Sequence, residues 1–172
     1  MNPWVRTKIF TAGLIVAALW TAPSQACAQE LWRDTLDQVE NLGTRIIADT
    51  VAKTDGAASI KVETAWPTVI NLAEITGLDI ESAALVYEAD VRSEGLKGTA
   101  FLEMWCHFPD GGQYFSRGLN STTSGSSDWR RLTTKFFLQE GQKPNKVTLN
   151  LAVNGRGTVW IDKLRLAREP LP

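Results

Sequence analysis

A chain of 172 residues that is 44% hydrophobic and 22% charged has the make-up of a globular protein. Its 18 Lys and Arg against 19 Asp and Glu give a formal net charge of −1, without the basic excess that generic nucleic-acid binding requires. Two cysteines and a single histidine leave little material for a disulfide framework or a transition-metal site.

Arg6 and Lys8 precede an unbroken apolar run from Ile9 to Trp20, and no acid occurs before Glu30. The run is shorter than the roughly 20 residues a membrane-spanning helix needs. Pro23 and the pattern Ala26-Cys27-Ala28 follow it, which fits a signal-peptidase site. Residues 1–28 are therefore expected to be a signal peptide, and the mature chain to be periplasmic or extracellular. The alternative is a lipoprotein anchored at Cys27, a reading that usually takes Leu three residues earlier, where this chain has Ser24. Losing Arg6 and Lys8 takes the basic residues from 18 to 16, against 19 acids, a net charge near −3. No later segment is long and apolar enough to span a membrane.

In residues 30–43, Trp32, Leu36 and Val39 recur at helical spacing and Gly43 offers a stop signal, so residues 29–44 are expected to form a short helical leader. The chain from 45 to 168 reads as strands: 45–49, 58–63, 68–75, 83–92, 99–108, 113–117, 129–138, 146–154 and 158–166. Asp55-Gly56, Asp110-Gly111-Gly112, the Ser/Thr/Gly run 121–127, Gly141 to Asn145 and Asn154-Gly155 supply turn chemistry between them. Asn154-Gly155 between two alternating runs predicts a closing hairpin. Regular strands without intervening helical patterns make the fold all-β, an antiparallel β-sandwich or barrel, with residues 169–172 as a tail. With Cys106 the one cysteine left after maturation, the core must hold by burial alone, and Trp32, Trp66, Trp105, Trp129 and Trp160 are its large anchors.

The strand around 99–108 carries the most chemistry. Leu102, Met104, Cys106 and Phe108 share one face, uniformly apolar, which makes Cys106 an inert core residue. Phe101, Glu103, Trp105 and His107 share the other. An acid, an indole and an imidazole on one strand face suit a sugar ring, which stacks its CH face on the indole and hydrogen-bonds its hydroxyls to the polar neighbours. The same pattern equally suits Trp105 covered by a neighbouring segment and Glu103 paired with a cross-strand Arg or Lys. Glu88, Asp90 and Glu103 could pair as the carboxylates of a glycan-cleaving enzyme, but nothing around them would raise one pKa. No G-x-S-x-G motif accompanies His107. Asp162 interrupts the apolar alternation of the last strand; it reads as a calcium ligand, with Asp49 or Asp55 as partners, or as an ordinary turn or bulge aspartate.

The segment NLAVNGRGTVWIDKLRL (150–166) resembles the closing hairpin of galactose-binding-like β-jelly-roll domains, among them many carbohydrate-binding modules, and DWRRLTTKFFL (128–138) resembles the Trp-led strand before it. Residues 85–119 are similar to the middle of a group of uncharacterised bacterial exported proteins of that fold. The resemblance, over residues 45–168, implies a jelly roll. It also implies a structural calcium at Asp162, although Lys163 stands where such domains carry a second acid, and aromatic binding residues, for which Trp105 and Tyr114 are the candidates. No other cofactor is implied. Together these readings give an exported, non-catalytic module binding a carbohydrate or glycan-like ligand through Glu103, Trp105, His107, Tyr114, Arg117 and Asn150. The alternative is a protein-interaction or envelope-structural sandwich, in which Trp105 anchors a protein partner.

Overall fold

The computed structural model describes residues 28–37 and 45–172, and every regular element within them is a strand. These are β1 (Gln29–Asp34), β2 (Ile46–Asp49), β3 (Ser59–Thr64), β4 (Thr68–Thr76), β5 (Ala83–His107), β6 (Gln113–Leu138) and β7 (Lys146–Glu169). All pairings are antiparallel, and the main order is β2-β3-β7-β5-β6, with β1 and β4 also on β7. Among the described residues no helix is long and apolar enough to cross a membrane.

β5, β6 and β7 run through positions where the sequence predicts breaks. The Asn154-Gly155 hairpin does not form. Both halves of β7 pair with the one long strand β5, from Glu94↔Thr158 through Gly98↔Gly155 to Thr99↔Asn154 and on to His107↔Lys146, so the chain bends here without reversing. The bend requires glycine. A Cβ on Gly98 would lie 2.1 Å from the Asn154 carbonyl oxygen, and one on Gly155 would lie 2.2 Å from that of Lys97. The Ser/Thr/Gly run 121–127 is likewise inside β6, where its register against β5 slips by bulges.

The expected helical leader is corrected over its first part. Gln29–Asp34 is extended and pairs with Arg168 to Leu164 of β7, with Leu31 and Trp32 packed on the core. Pairing to an open strand edge outweighs a weak local helical pattern. Residues 38–44 of that leader, and all of the expected signal peptide but Ala28, lie outside the described residues.

One core joins the two halves of β5 and of β7. Leu85, Tyr87, Ala89 and Val91 come from the first half of β5, and Leu102, Met104 and Cys106 from the second. They pack with Leu149 and Leu151 of the first half of β7 and Ile161, Leu164 and Leu166 of the second, all of them fully buried. Each of the Leu, Ile, Val and Met side chains among them stabilises the fold by about 1.5–3 kcal/mol. The sheet thus doubles over on itself. One layer is the row β4–β7–β5–β6 built from residues 68–76, 146–154, 99–107 and 113–123, and its outer face carries the Trp105 side of β5.

Candidate functional site

Strand register brings most of the singled-out residues together. Directly opposed residues of an antiparallel pair share a face. Asn71 of β4 opposes Asn150 of β7, Asn150 opposes Glu103 of β5, and Glu103 opposes Arg117 of β6, so the four form one row across the layer. The next row is Glu74, Thr148, Trp105 and Phe115, and the one after it holds Lys146, His107 and Gln113. On the other side of the Glu103 row lie Val69, Ala152 and Phe101. Successive rows are roughly 7 Å apart, the advance of two strand residues.

Glu103 is the centre of this face and is 3% exposed. Arg117 Nε donates to its Oε2 at 2.6 Å, while Trp105 Nε1 and Asn150 Nδ2 donate to Oε1 at 2.8 and 3.3 Å. Burial pushes the carboxyl pKa up, but the hydrogen bonds from Arg117, Trp105 and Asn150 outweigh it and hold the group below the usual Glu range. Glu103 is therefore the charged clamp that orients the Trp105 indole and the Arg117 guanidinium. The cross-strand pairing anticipated for it is present, and so is the convergence with Trp105 and Asn150.

Trp105 is half-buried and stacks against Phe115, with ring centroids 4.9 Å apart at 42°. Arg117 lies over the other side of the pair, its Cζ 4.6 Å from the Phe115 centroid. His107 Nε2 shares a hydrogen bond with Thr148 Oγ1 at 3.1 Å. Lys146 Nζ and Asn71 Nδ2 both donate to Glu74 Oε1, at 3.2 and 3.4 Å. The outcome is a groove with a recess of about 360 Å³ among Asn71, Glu74, Trp105, His107, Thr148 and Asn150. A second recess of about 330 Å³ lies beyond the Glu103 row, between Val69, Phe101 and Arg117.

Tyr114 does not belong to this face. It opposes Cys106, a core residue, so it takes the other side of β6 and packs edge-on against Phe108 at 5.9 Å. The aromatic that sequence reading missed is Phe115. Its signal was available, because Phe115 and Arg117 are two apart and share a strand face whereas Tyr114 and Arg117 cannot. Asn71, Glu74 and Val69 had no comparable signal, since their place depends on β4 pairing with a distant strand.

Asp162 is fully buried and opposes Asp90 at a bulge, where Lys163 takes φ 57°. Its Oδ2 accepts from the backbone N–H of Thr54 (2.6 Å) and Asp55 (3.1 Å) and from Thr54 Oγ1 (3.0 Å), while Oδ1 accepts from the Lys163 N–H (2.7 Å). Calcium takes oxygen acceptors, and these groups are donors. The two suggested partners are also engaged: Asp49 accepts from Trp160 Nε1 and from the N–H groups of Val51 and Ala52, and Asp55 lies 3.6 Å from the Lys163 ammonium. The residues present do not fit the calcium implied by resemblance. Asp162 instead pins the loop between β2 and β3, the bulge-aspartate reading.

No family model matches the chain, and no curated protein matches it. In fold it is similar to the CBM22-1 xylan-binding domain from Paenibacillus barcinonensis Xyn10C, at 11% identity and TM-score 0.58, covering 86% of this chain and 99% of that one. It is also similar to the Clostridium thermocellum Xyn10B CBM22-1–GH10 modules complexed with xylohexaose, at 14% identity and TM-score 0.59, covering 82% of this chain and 29% of that one. A family 16 carbohydrate binding module follows, at 10% identity and TM-score 0.51, with 73% and 86% covered. What the chain shares with the matched part of all three is the fold, reached with little of their sequence.

Proposed function

We propose that this chain is an exported, non-catalytic module of jelly-roll type that binds carbohydrate on the outer face of its β4–β7–β5–β6 layer. The observation that carries this reading is the convergence of the Trp105–Phe115 aromatic pair with a pre-ordered polar row, Asn71-Asn150-Glu103-Arg117, in one open groove. An aromatic ring offers stacking to a sugar CH face, and fixed donors and acceptors beside it select hydroxyl positions. The fold shared with xylan-binding modules supports the ligand class. Arg6 and Lys8, the apolar run and Ala26-Cys27-Ala28 support export.

A cleaving role is disfavoured by the state of the carboxylates. Glycosidases need one acid with a raised pKa, whereas Glu103 is held low, Glu88 is paired with Arg165 at 2.7 Å, and Asp90 with Arg131 at 2.9 Å. A protein-docking face would be apolar at its centre; here the centre is the polar row.

Binding by an open groove should be weak, with Kd in the range of about millimolar to micromolar. A glycan array followed by calorimetry tests the reading. Trp105→Ala and the half-exposed Phe115→Ala are each expected to weaken binding about tenfold, with folding verified by thermal melts. Absence of any glycan ligand, or wild-type affinity in both variants, defeats it.

A further inference from the structure

The two recesses of the groove share Val69 but differ in their other lining residues. On one side of the Glu103 row the lining is polar, with Asn71, Glu74, His107 and Thr148 around Trp105. On the other side the recess has Pro67, Val69, Phe101 and Ala152 in its lining, with Thr68, Glu103, Arg117 and Asn154 as its polar members. Val69 is 55% exposed there, while Phe101 and Ala152 are buried. A bare saccharide could offer this surface only its CH faces, with its hydroxyls facing hydrocarbon at the ring edge.

Arg117 refines the requirement. Its Nε is committed to Glu103, and its terminal Nη nitrogens meet no protein acceptor among the described residues. An apolar recess with an open donor edge beside it matches a substituent with an apolar body and one acceptor oxygen. A free carboxylate fits less well, because Glu103 already neutralises the Arg117 charge and the recess would desolvate the anion.

We infer that the apolar half of the groove receives an acyl group esterified to the saccharide, its hydrocarbon on Val69, Phe101 and Ala152 and its carbonyl oxygen accepting from Arg117. The inference rests on the carbohydrate reading above and adds the decoration that the ligand must carry. Recognition here is binding alone, with the ester left intact. The site is continuous with the polar half through Val69, which borders both recesses.

Acetylated xylo-oligosaccharides, and the same preparation after alkaline deacetylation, test it by calorimetry against the folded full mature chain. The acetylated sample is expected to bind about tenfold tighter, the scale on which a site discriminates one small apolar group. Val69→Asn, at an exposed position that leaves the β4 backbone bonding unchanged, is expected to bring that ratio toward one. Equal affinity of the two samples for the wild-type chain overturns the inference while the saccharide reading stands. A preference that persists undiminished in Val69→Asn overturns the placement of the acyl group. If neither sample binds, the inference falls; if the glycan array finds no ligand either, the saccharide reading falls with it.

Discussion

Replacing Glu103 by Gln removes one charge and changes one oxygen for an amide nitrogen, at a site where every neighbour is a donor. Oε1 accepts from Trp105 and Asn150, and Oε2 from Arg117. The glutamine oxygen can serve only one of these two positions. The cheaper choice keeps the Trp105 and Asn150 bonds and turns the NH₂ toward Arg117, losing a charge-assisted bond of about 1.5–3 kcal/mol. Arg117 is 46% exposed at its side chain and regains some hydration, so the expected loss is about 2 kcal/mol. Denaturant unfolding followed by tryptophan fluorescence measures it as a shift in midpoint at unchanged slope. The pH dependence gives a second check. The Glu103 pKa is depressed in the folded chain relative to the ordinary 4.5, so its contribution is fully present above that ordinary value and is lost as pH falls through the folded one. The gap between wild type and Glu103→Gln should therefore be full at neutral pH and shrink on acidification below the ordinary Glu range. A gap under about 0.5 kcal/mol at neutral pH, the scale of ordinary surface substitutions, refutes the clamp, as does a gap that widens with acid.

Two further outcomes follow from buried groups. Asp162→Ala leaves the N–H groups of Thr54 and Asp55 without their acceptor; it should cost about 2–4 kcal/mol and open residues 50–57 to limited proteolysis. EDTA should leave the wild-type melting temperature unchanged, and a drop restored by added calcium would overturn the hydrogen-bonded assignment. Burial pushes the Cys106 thiol up to about 12, so the native chain should resist a disulfide-exchange reagent at mildly alkaline pH and react fully once unfolded.

The face was legible wherever a single strand encoded it. Phe101, Glu103, Trp105 and His107 alternate with Leu102, Met104 and Cys106, and that period of two needs no partner to be read. Asn150 was legible for the same reason, as the polar phase of KVTLNLAVN. What was hidden depends on which strand lies beside which. β4 meets β7 across a long stretch of chain, and no local pattern announces that Asn71 and Glu74 join the groove. Asn154-Gly155 carries strong hairpin chemistry, yet the steric demand it answers is the close approach to Lys97 and Gly98 of β5. The strand at Gln29–Asp34 exists because β7 offers an edge there, a tertiary fact that outweighs three apolar residues at helical spacing.

The way the groove satisfies itself also shapes what it can recognise. Its two acids are each tied to a base, Glu103 to Arg117 and Glu74 to Lys146, so the face presents no net charge. Asn150 is spent on Glu103, and one nitrogen of His107 on Thr148. Other groups stay open: the Trp105 and Phe115 rings, the Nη edge of Arg117, the second nitrogen of His107, the Gln113 amide and the side-chain oxygens of Asn71 and Asn150. Pre-ordering them lowers the entropic cost of binding, while the openness of the groove keeps affinity for a bare sugar weak. A ligand that fills both halves of the groove at once gains selectivity from each. That is why an apolar recess beside Arg117 is better explained as part of the ligand's footprint than as incidental surface.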